Sequence, residues 1–433
     1  MTLEFPKHTK ICEQLFIAGT ILCQLVSAHF TSILCYQTSH SSPAMDLKSL
    51  APLFYYAIAS LLTITGLKRR RQTRLLLLGP IWLFSLMSLA SSHRLRLSVA
   101  GKMVGADSTF ASLVVFYLLY SAKTLVFDIH AVSPERSPHG HYWSLVDCYR
   151  TWNNPRQLPL RRSRLEGDTP AHGDPAPKSW RLLSFSLTRA TKAAALWAFE
   201  HFVFRKVFIH ALGQVIVADF SPAMEALSQL QPQQLSPHHL QVRAVMSVQW
   251  IWRAYFFLEF YHSLLAIVFV VILRFDDPGE WPPLFGTPLE AYSVRGFWGR
   301  FWHRLTVPTY VFYARLVSRR LMRVRPGSAL EKIVTALLVF TISGLSHSLV
   351  GWALGDTALF RDVLFFEMCF LAAAGETAVS KMKMKAKALR MSGGFVAPPL
   401  QRVAGMVWVF VFFFCVSPSW IYPKIYHALL NPV

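Results

Sequence analysis

Two histidines stand in places where an imidazole needs a reason. His303 closes the aromatic string FWGRFWH, and His347 sits inside the apolar run TALLVFTISGLSHSLVGW. On a helix starting near Ala329, His347 lies about 22 Å along the axis beyond Lys332. A charged group at that depth costs several kcal/mol, so the ring is expected to be neutral, the state in which an imidazole accepts a proton as a general base. Ser343, Gly344, Ser346 and Ser348 surround it with small side chains, which permits close helix packing or leaves room for a ligand. A lone helical histidine is also a common structural hydrogen-bonder. Its small neighbours and the aromatic loop before it favour chemistry here. Two more ionisable residues, Glu259 and His262, fall at i and i+3 on one helical face. That spacing suits an intrahelical pair or one wall of a polar substrate cavity, and the residues alone do not choose between them.

The elements that would carry these side chains are membrane helices. The chain has 433 residues, of which 53% are hydrophobic and 15% charged, and its mean hydropathy is +0.35. That is too apolar for a soluble protein of this length. Runs long enough to cross about 30 Å of hydrocarbon fall at 11–36, 49–67, 75–92, 111–129, 182–204, 244–273, 329–353, 357–379 and 402–424. The expectation is therefore an all-α, polytopic, multi-pass protein of eight to nine transmembrane helices, a single integral membrane domain over residues 1–433.

The net charge of +21 is gathered in clusters such as KRRRQTR and KMKMKAKALR, between the apolar runs. This is the pattern of positive cytosolic loops; nucleic acid would call for one continuous basic face. Residues 131–181, rich in Pro, Arg, Gly and His, read as a polar cytosolic loop, and 281–352 hold the motifs of chemistry. Phe297, Trp298, Phe301 and Trp302 form a helical stripe expected to enter the membrane and hold His303 at its border. The six cysteines contain no CxxC and read as small core residues, leaving no metal site to propose.

Several chemistries are excluded by what they require. A di-iron membrane oxygenase needs clustered HxxxH and HxxHH ligands, and the sixteen histidines include no such set. No HxxxxD occurs, and no internal repeat of a transporter kind is visible. The string WPPLFG, then SVRGFWGRFWHRL, then SGLSHS resembles the wax-synthase-like branch of the membrane-bound O-acyltransferases. The likeness is dense over 281–348 and loose elsewhere. Val294, Gly296 and the SHS ending depart from the usual pattern of that branch.

The resemblance implies transfer of an acyl group from coenzyme A to a hydroxyl, with His347 as the base and His303 as oxyanion donor or orienting group. Arg295, Arg300 and Arg304, with Trp298 and Trp302, would receive the CoA moiety, while Ser343, Ser346, Glu259 and His262 would line the substrate cavity. The implied cosubstrate is acetyl-CoA or another acyl-CoA, and the acceptor a hydrophobic alcohol reaching the site through the lipid bilayer. No nucleic acid and no obligate protein partner are expected. Fungal members of the branch acetylate terpenoids or meroterpenoids in secondary metabolism, which is the favoured expectation, in the endoplasmic reticulum membrane. A long-chain fatty alcohol acyltransferase, or wax synthase, is the alternative within the class. A non-enzymatic membrane transporter is the alternative outside it, distinguished by whether membranes consume acetyl-CoA when given an alcohol.

Overall fold

Apolar segments of 17 to 36 residues with no other way to satisfy their backbone amides in hydrocarbon form helices. The computed structural model describes residues 50–97, 106–128, 145–158, 178–213, 215–225, 236–389 and 398–430, and all regular structure among them is helical. Among the described residues six helices are long and apolar enough to cross a membrane: Arg71–Ala90, Asp107–Phe127, Pro237–Ile272, Ala329–Ala353, Phe360–Met382 and Leu400–Leu430. The chain is an integral membrane protein.

These six correspond to the expected runs at 75–92, 111–129, 244–273, 329–353, 357–379 and 402–424. Ala51–Leu67 is an apolar helix of shorter length. The run at 182–204 does form helix, but its load of Arg189, Lys192 and Glu200 keeps it out of the apolar set. The run at 11–36 lies outside the described residues, as does most of the loop expected at 131–181. Within that loop Leu145–Trp152 is helical.

The described residues divide into two compact units. The first holds α1 (Ala51–Leu67), α2 (Arg71–Ala90), α3 (Ala106–Ala122) and α4 (Leu145–Trp152), together with Leu349–Thr357. Buried Arg74 ties the α1–α2 turn by donating from Nε to the carbonyl of Arg69 at 2.8 Å and from Nη2 to that of Leu67 at 2.9 Å. A guanidinium can thus satisfy carbonyls that a helix C-terminus leaves without partners. Leu89, Ala111, Val114, Val115, Val350 and Ala353 make the core of this unit.

The second unit, Asn153–Ser348 and the residues from Ala358 onward, contains the histidines. Its helices are α5 (Lys178–Ala198), α6 (Arg205–Leu212), α7 (Pro237–Ala266), α8 (Val294–Gly296), α9 (Val307–Leu316), α10 (Ala329–Ala353, as far as Ser348), α11 (Phe360–Leu389) and α12 (Pro398–Leu430). The ten-residue α9, too short to span, occupies the 305–317 run, with Pro308 in its first turn where no amide donor is needed. The core is aromatic: Phe285, Phe297, Phe301, Phe365, Phe366, Phe412 and Phe413 are buried together, with Trp250, Trp298, Trp302 and Trp420 packed on them.

Candidate active site

The loop from Trp281 to His303 has two prolines at its start, and these remove amide donors and forbid helix. Its backbone groups must find partners elsewhere. The carbonyl of Trp281 accepts from Arg189, and that of Pro282 accepts from Arg156 Nη1 at 2.9 Å. The next free amides, Leu284 and Phe285, both donate to Glu259 Oε1 at 3.0 Å. Glu259 is fully buried on α7, and its other oxygen accepts from Lys192 Nζ at 2.7 Å. A carboxylate expected in a substrate cavity therefore anchors the loop. It does not pair with His262, because both its oxygens are taken by better donors. His262 packs its ring 5.1 Å from that of Trp281.

A second carboxylate holds the far end of the loop. Glu376 on α11 accepts from the amides of Val294 at 2.7 Å and Arg295 at 3.0 Å, and from Trp408 Nε1 at 2.7 Å. An anion at these first two amides suits a helix N-terminus. Ser293 caps the same turn through its hydroxyl, which accepts the amide of Gly296 at 2.8 Å. Between the anchors, the amide of Gly286 donates to the carbonyl of Phe301 at 2.8 Å. A Cβ at Gly286 would lie 2.2 Å from the carbonyl oxygen of Arg300, so this strand-like contact demands glycine.

After α8 the helix widens. The amide of Trp302 reaches back five residues to the carbonyl of Phe297 at 2.7 Å, a turn of the kind often met at functional sites. Trp302 then adopts an extended backbone, φ −65° and ψ 149°, which swings His303 out of the helix. The ring of His303 meets the edge of Phe285 at 5.5 Å, and its Nδ1 is buried with no hydrogen-bond partner. Burial, then nearby His347 and the Arg156 guanidinium, lower the His303 imidazole to about 4. It is neutral at pH 7, with an unsatisfied ring nitrogen.

His347 lies on α10 seven residues beyond Phe340, hence about two turns along the same face. Phe340 packs against Trp298. His347 stacks on Phe366 of α11 at 5.1 Å and meets Trp420 of α12 edge-on at 6.3 Å. Leu345, 55% exposed, points the opposite way. His347 nevertheless keeps accessible surface. Small residues permit the arrangement: a Cβ at Gly344 would lie 2.7 Å from Val363 Cα, so α10 and α11 touch backbone to backbone there.

Aromatic rings join the two histidines. His303 neighbours Trp302 at 5.5 Å, Trp302 neighbours Trp298 at 5.5 Å, Trp298 neighbours Phe366 at 5.6 Å, and Phe366 stacks on His347. The expectation that the Phe297 to Trp302 stripe enters lipid is corrected here. Phe297 and Phe301 are buried in protein, because α7, α11 and α12 pack over them. Trp298 and Trp302, partly buried, pack on the same aromatic core.

Of the remaining expected residues, Arg295, Arg300 and Arg304 are exposed. Arg300 lies over the ring of Tyr292 at 5.0 Å. Ser343 turns its hydroxyl back to the carbonyl of Val339 at 2.9 Å. Ser346 does likewise to Ile342 at 2.8 Å, and also accepts from the Tyr310 hydroxyl at 2.9 Å. The sequence reading passed over Arg156, Asp362, Glu376, Trp420 and Lys424. The signal for the acids was present, since Asp362 and Glu376 are ionisable residues in an apolar run and such residues face protein and partners.

The described fold is that of a polytopic, all-helical membrane protein. Residues 281–370, which contain both histidines, match the model of the Membrane bound O-acyl transferase family. The chain is similar to acetyltransferase nanB of Aspergillus nanangensis, 31% identical over 162 residues that make up 37% of this chain and 39% of that protein. Acetyltransferase spyB of Aspergillus fumigatus is 30% identical over 172 residues, 36% of this chain and 28% of that protein. Acetyltransferase aurG of Calcarisporium arbuscula is 31% identical over 193 residues, 41% of this chain and 44% of that protein. In each case the similarity spans less than half of the relative's length.

Proposed function

We propose that this protein is a CoA-dependent O-acyltransferase that moves an acetyl group from acetyl-CoA to a hydroxyl of a hydrophobic terpenoid or meroterpenoid alcohol. The observation that carries the reading is the placement of His347: an imidazole on a membrane-spanning helix, stacked on protein rings, retaining accessible surface, and linked by aromatic rings to a second histidine. The acetyltransferase relatives support acetyl as the transferred group, and the motif resemblance supports a tailoring role in secondary metabolism in the endoplasmic reticulum.

In the proposed reaction His347 takes the alcohol proton as the oxygen attacks the thioester carbonyl carbon. The C–S bond then breaks, and the departing thiolate receives the proton from His347, leaving ester and free CoA. His303, whose ring nitrogen has no hydrogen-bond partner, donates a hydrogen bond to the carbonyl oxygen as negative charge develops there. General-base catalysis supplies about 10² to 10⁴ in rate, and one well-placed oxyanion donor about 10² to 10³. Exposed Arg295, Arg300 and Arg304 attract the CoA phosphates.

The test is release of free CoA thiol by membranes holding the full chain, supplied with acetyl-CoA and a hydroxylated terpenoid such as farnesol, with 1-dodecanol as the fatty-alcohol comparison. Wild type is expected to form farnesyl acetate, and His347→Ala to form none at equal expression. A fully active His347→Ala protein overturns the assignment.

A further inference from the structure

Asp362 lies in the first turn of α11 and is fully buried. One oxygen, Oδ1, accepts from Trp420 Nε1 and from Lys424 Nζ, both at 2.7 Å. The other, Oδ2, is enclosed and has no hydrogen-bond partner. A buried acceptor left unused costs about 1–3 kcal/mol, more when it is charged, and an ionised carboxylate can only accept. Such an oxygen calls for a donor.

His347 is the donor at hand. Phe366, one turn along α11 from Asp362, is the ring on which His347 stacks. Trp420, whose indole N–H holds Asp362, is the ring that meets His347 edge-on. Asp362 lies close enough to His347 for its charge to act on that ring. His347 hydrogen-bonds to none of the described residues, and its accessible surface gives the ring room to turn.

We propose that Asp362 is a positioning residue for His347: its free Oδ2 accepts one ring N–H of the histidine in the working site and thereby directs the other nitrogen at the alcohol. The carboxylate never touches substrate. Trp420 and Lys424 fix it in place, and the same pairing stabilises the imidazolium that forms when the alcohol gives up its proton. The inference deepens the acyl-transfer reading and rests on it.

The experiment uses the full chain in detergent, with Asp362→Asn as the main variant and Trp420→Phe, which removes one hydrogen bond to the carboxylate and keeps an aromatic ring, as the second. The first readout is independent of turnover. Carbethoxylation of His347 by diethyl pyrocarbonate is followed by mass spectrometry, with and without CoA; the rate is expected to fall at least threefold in Asp362→Asn. The second readout is acetyl transfer, where kcat is expected to drop at least tenfold with both KM values within twofold of wild type, and less steeply in Trp420→Phe. An unchanged carbethoxylation rate, or a loss confined to KM, overturns the proposal. If Asp362→Asn yields no folded protein, Trp420→Phe decides on the same two measurements. Should His347→Ala remain active, the acyl-transfer reading falls; should His347→Ala be dead while Asp362→Asn behaves as wild type, only the role of Asp362 falls.

Discussion

Glu259 Oε1 accepts the backbone amide of Phe285 at 3.0 Å, and through it a helix of the membrane domain sets the position of the ring against which His303 rests. Glu259 makes the same bond to Leu284 and an ion pair with Lys192. A side chain that resembles a catalytic acid by type and depth is an anchor for the loop that carries one of the histidines.

Replacing that anchor should loosen the loop. Glu259→Gln leaves an amide donor facing Lys192 and weakens two bonds to buried amides, at a cost of about 2–3 kcal/mol. The expected outcome is a lower melting temperature in detergent and at least a tenfold loss of acetyl transfer. Fluorescence-detected size-exclusion chromatography after heating checks the first.

Two glycines in the same stretch should behave in opposite ways. A methyl group at Gly286 meets the Arg300 carbonyl oxygen at 2.2 Å, and backbone cannot yield as a flexible side chain does, so Gly286→Ala is expected to cost about 1–3 kcal/mol. Around Gly299 nothing lies within 4 Å, and Gly299→Ala should be neutral or stabilising by up to about 1 kcal/mol. Paired melting curves test the contrast.

Gly344→Ala tests how closely α10 must approach α11. The added Cβ would sit 2.7 Å from Val363 Cα, forcing apart the helices that carry His347 and Phe366. Activity should fall at least tenfold with a modest loss of stability, about 1–3 kcal/mol. Wild-type turnover in this variant would mean that the stacked geometry is not needed.

The pH dependence of stability should carry the mark of His303. Its folded pKa is lowered to about 4, chiefly by burial, then by His347 and Arg156. Between about 6.5 and 4 the unfolded chain binds a proton that the folded chain refuses, so stability falls as pH drops through that window, by about 3 kcal/mol at full extent. His303→Asn lacks this contribution and should lose less stability between pH 7 and pH 4 than wild type. Parallel slopes for the two proteins would contradict it.

Much of this protein was written in local pattern. Apolar runs of spanning length named the helices because hydrocarbon offers the backbone no other partner, and small residues around an isolated imidazole marked His347. The WPPLFG and FWGRFWH strings located the loop, since prolines and glycines act on the backbone where they stand.

Long-range pairing was beyond such a reading. Glu259 and His262 share a helical face, yet loop amides 25 and 26 residues further on claim the carboxylate. Glu376 caps a helix more than 80 residues before it. The Phe297 to Trp302 stripe meets protein where its apolar character alone suggested lipid, because periodicity reports that a face is buried and not by what. Which donor reaches a buried oxygen, and which ring covers another, depends on how distant helices pack, and that is set by the sum of their contacts in three dimensions.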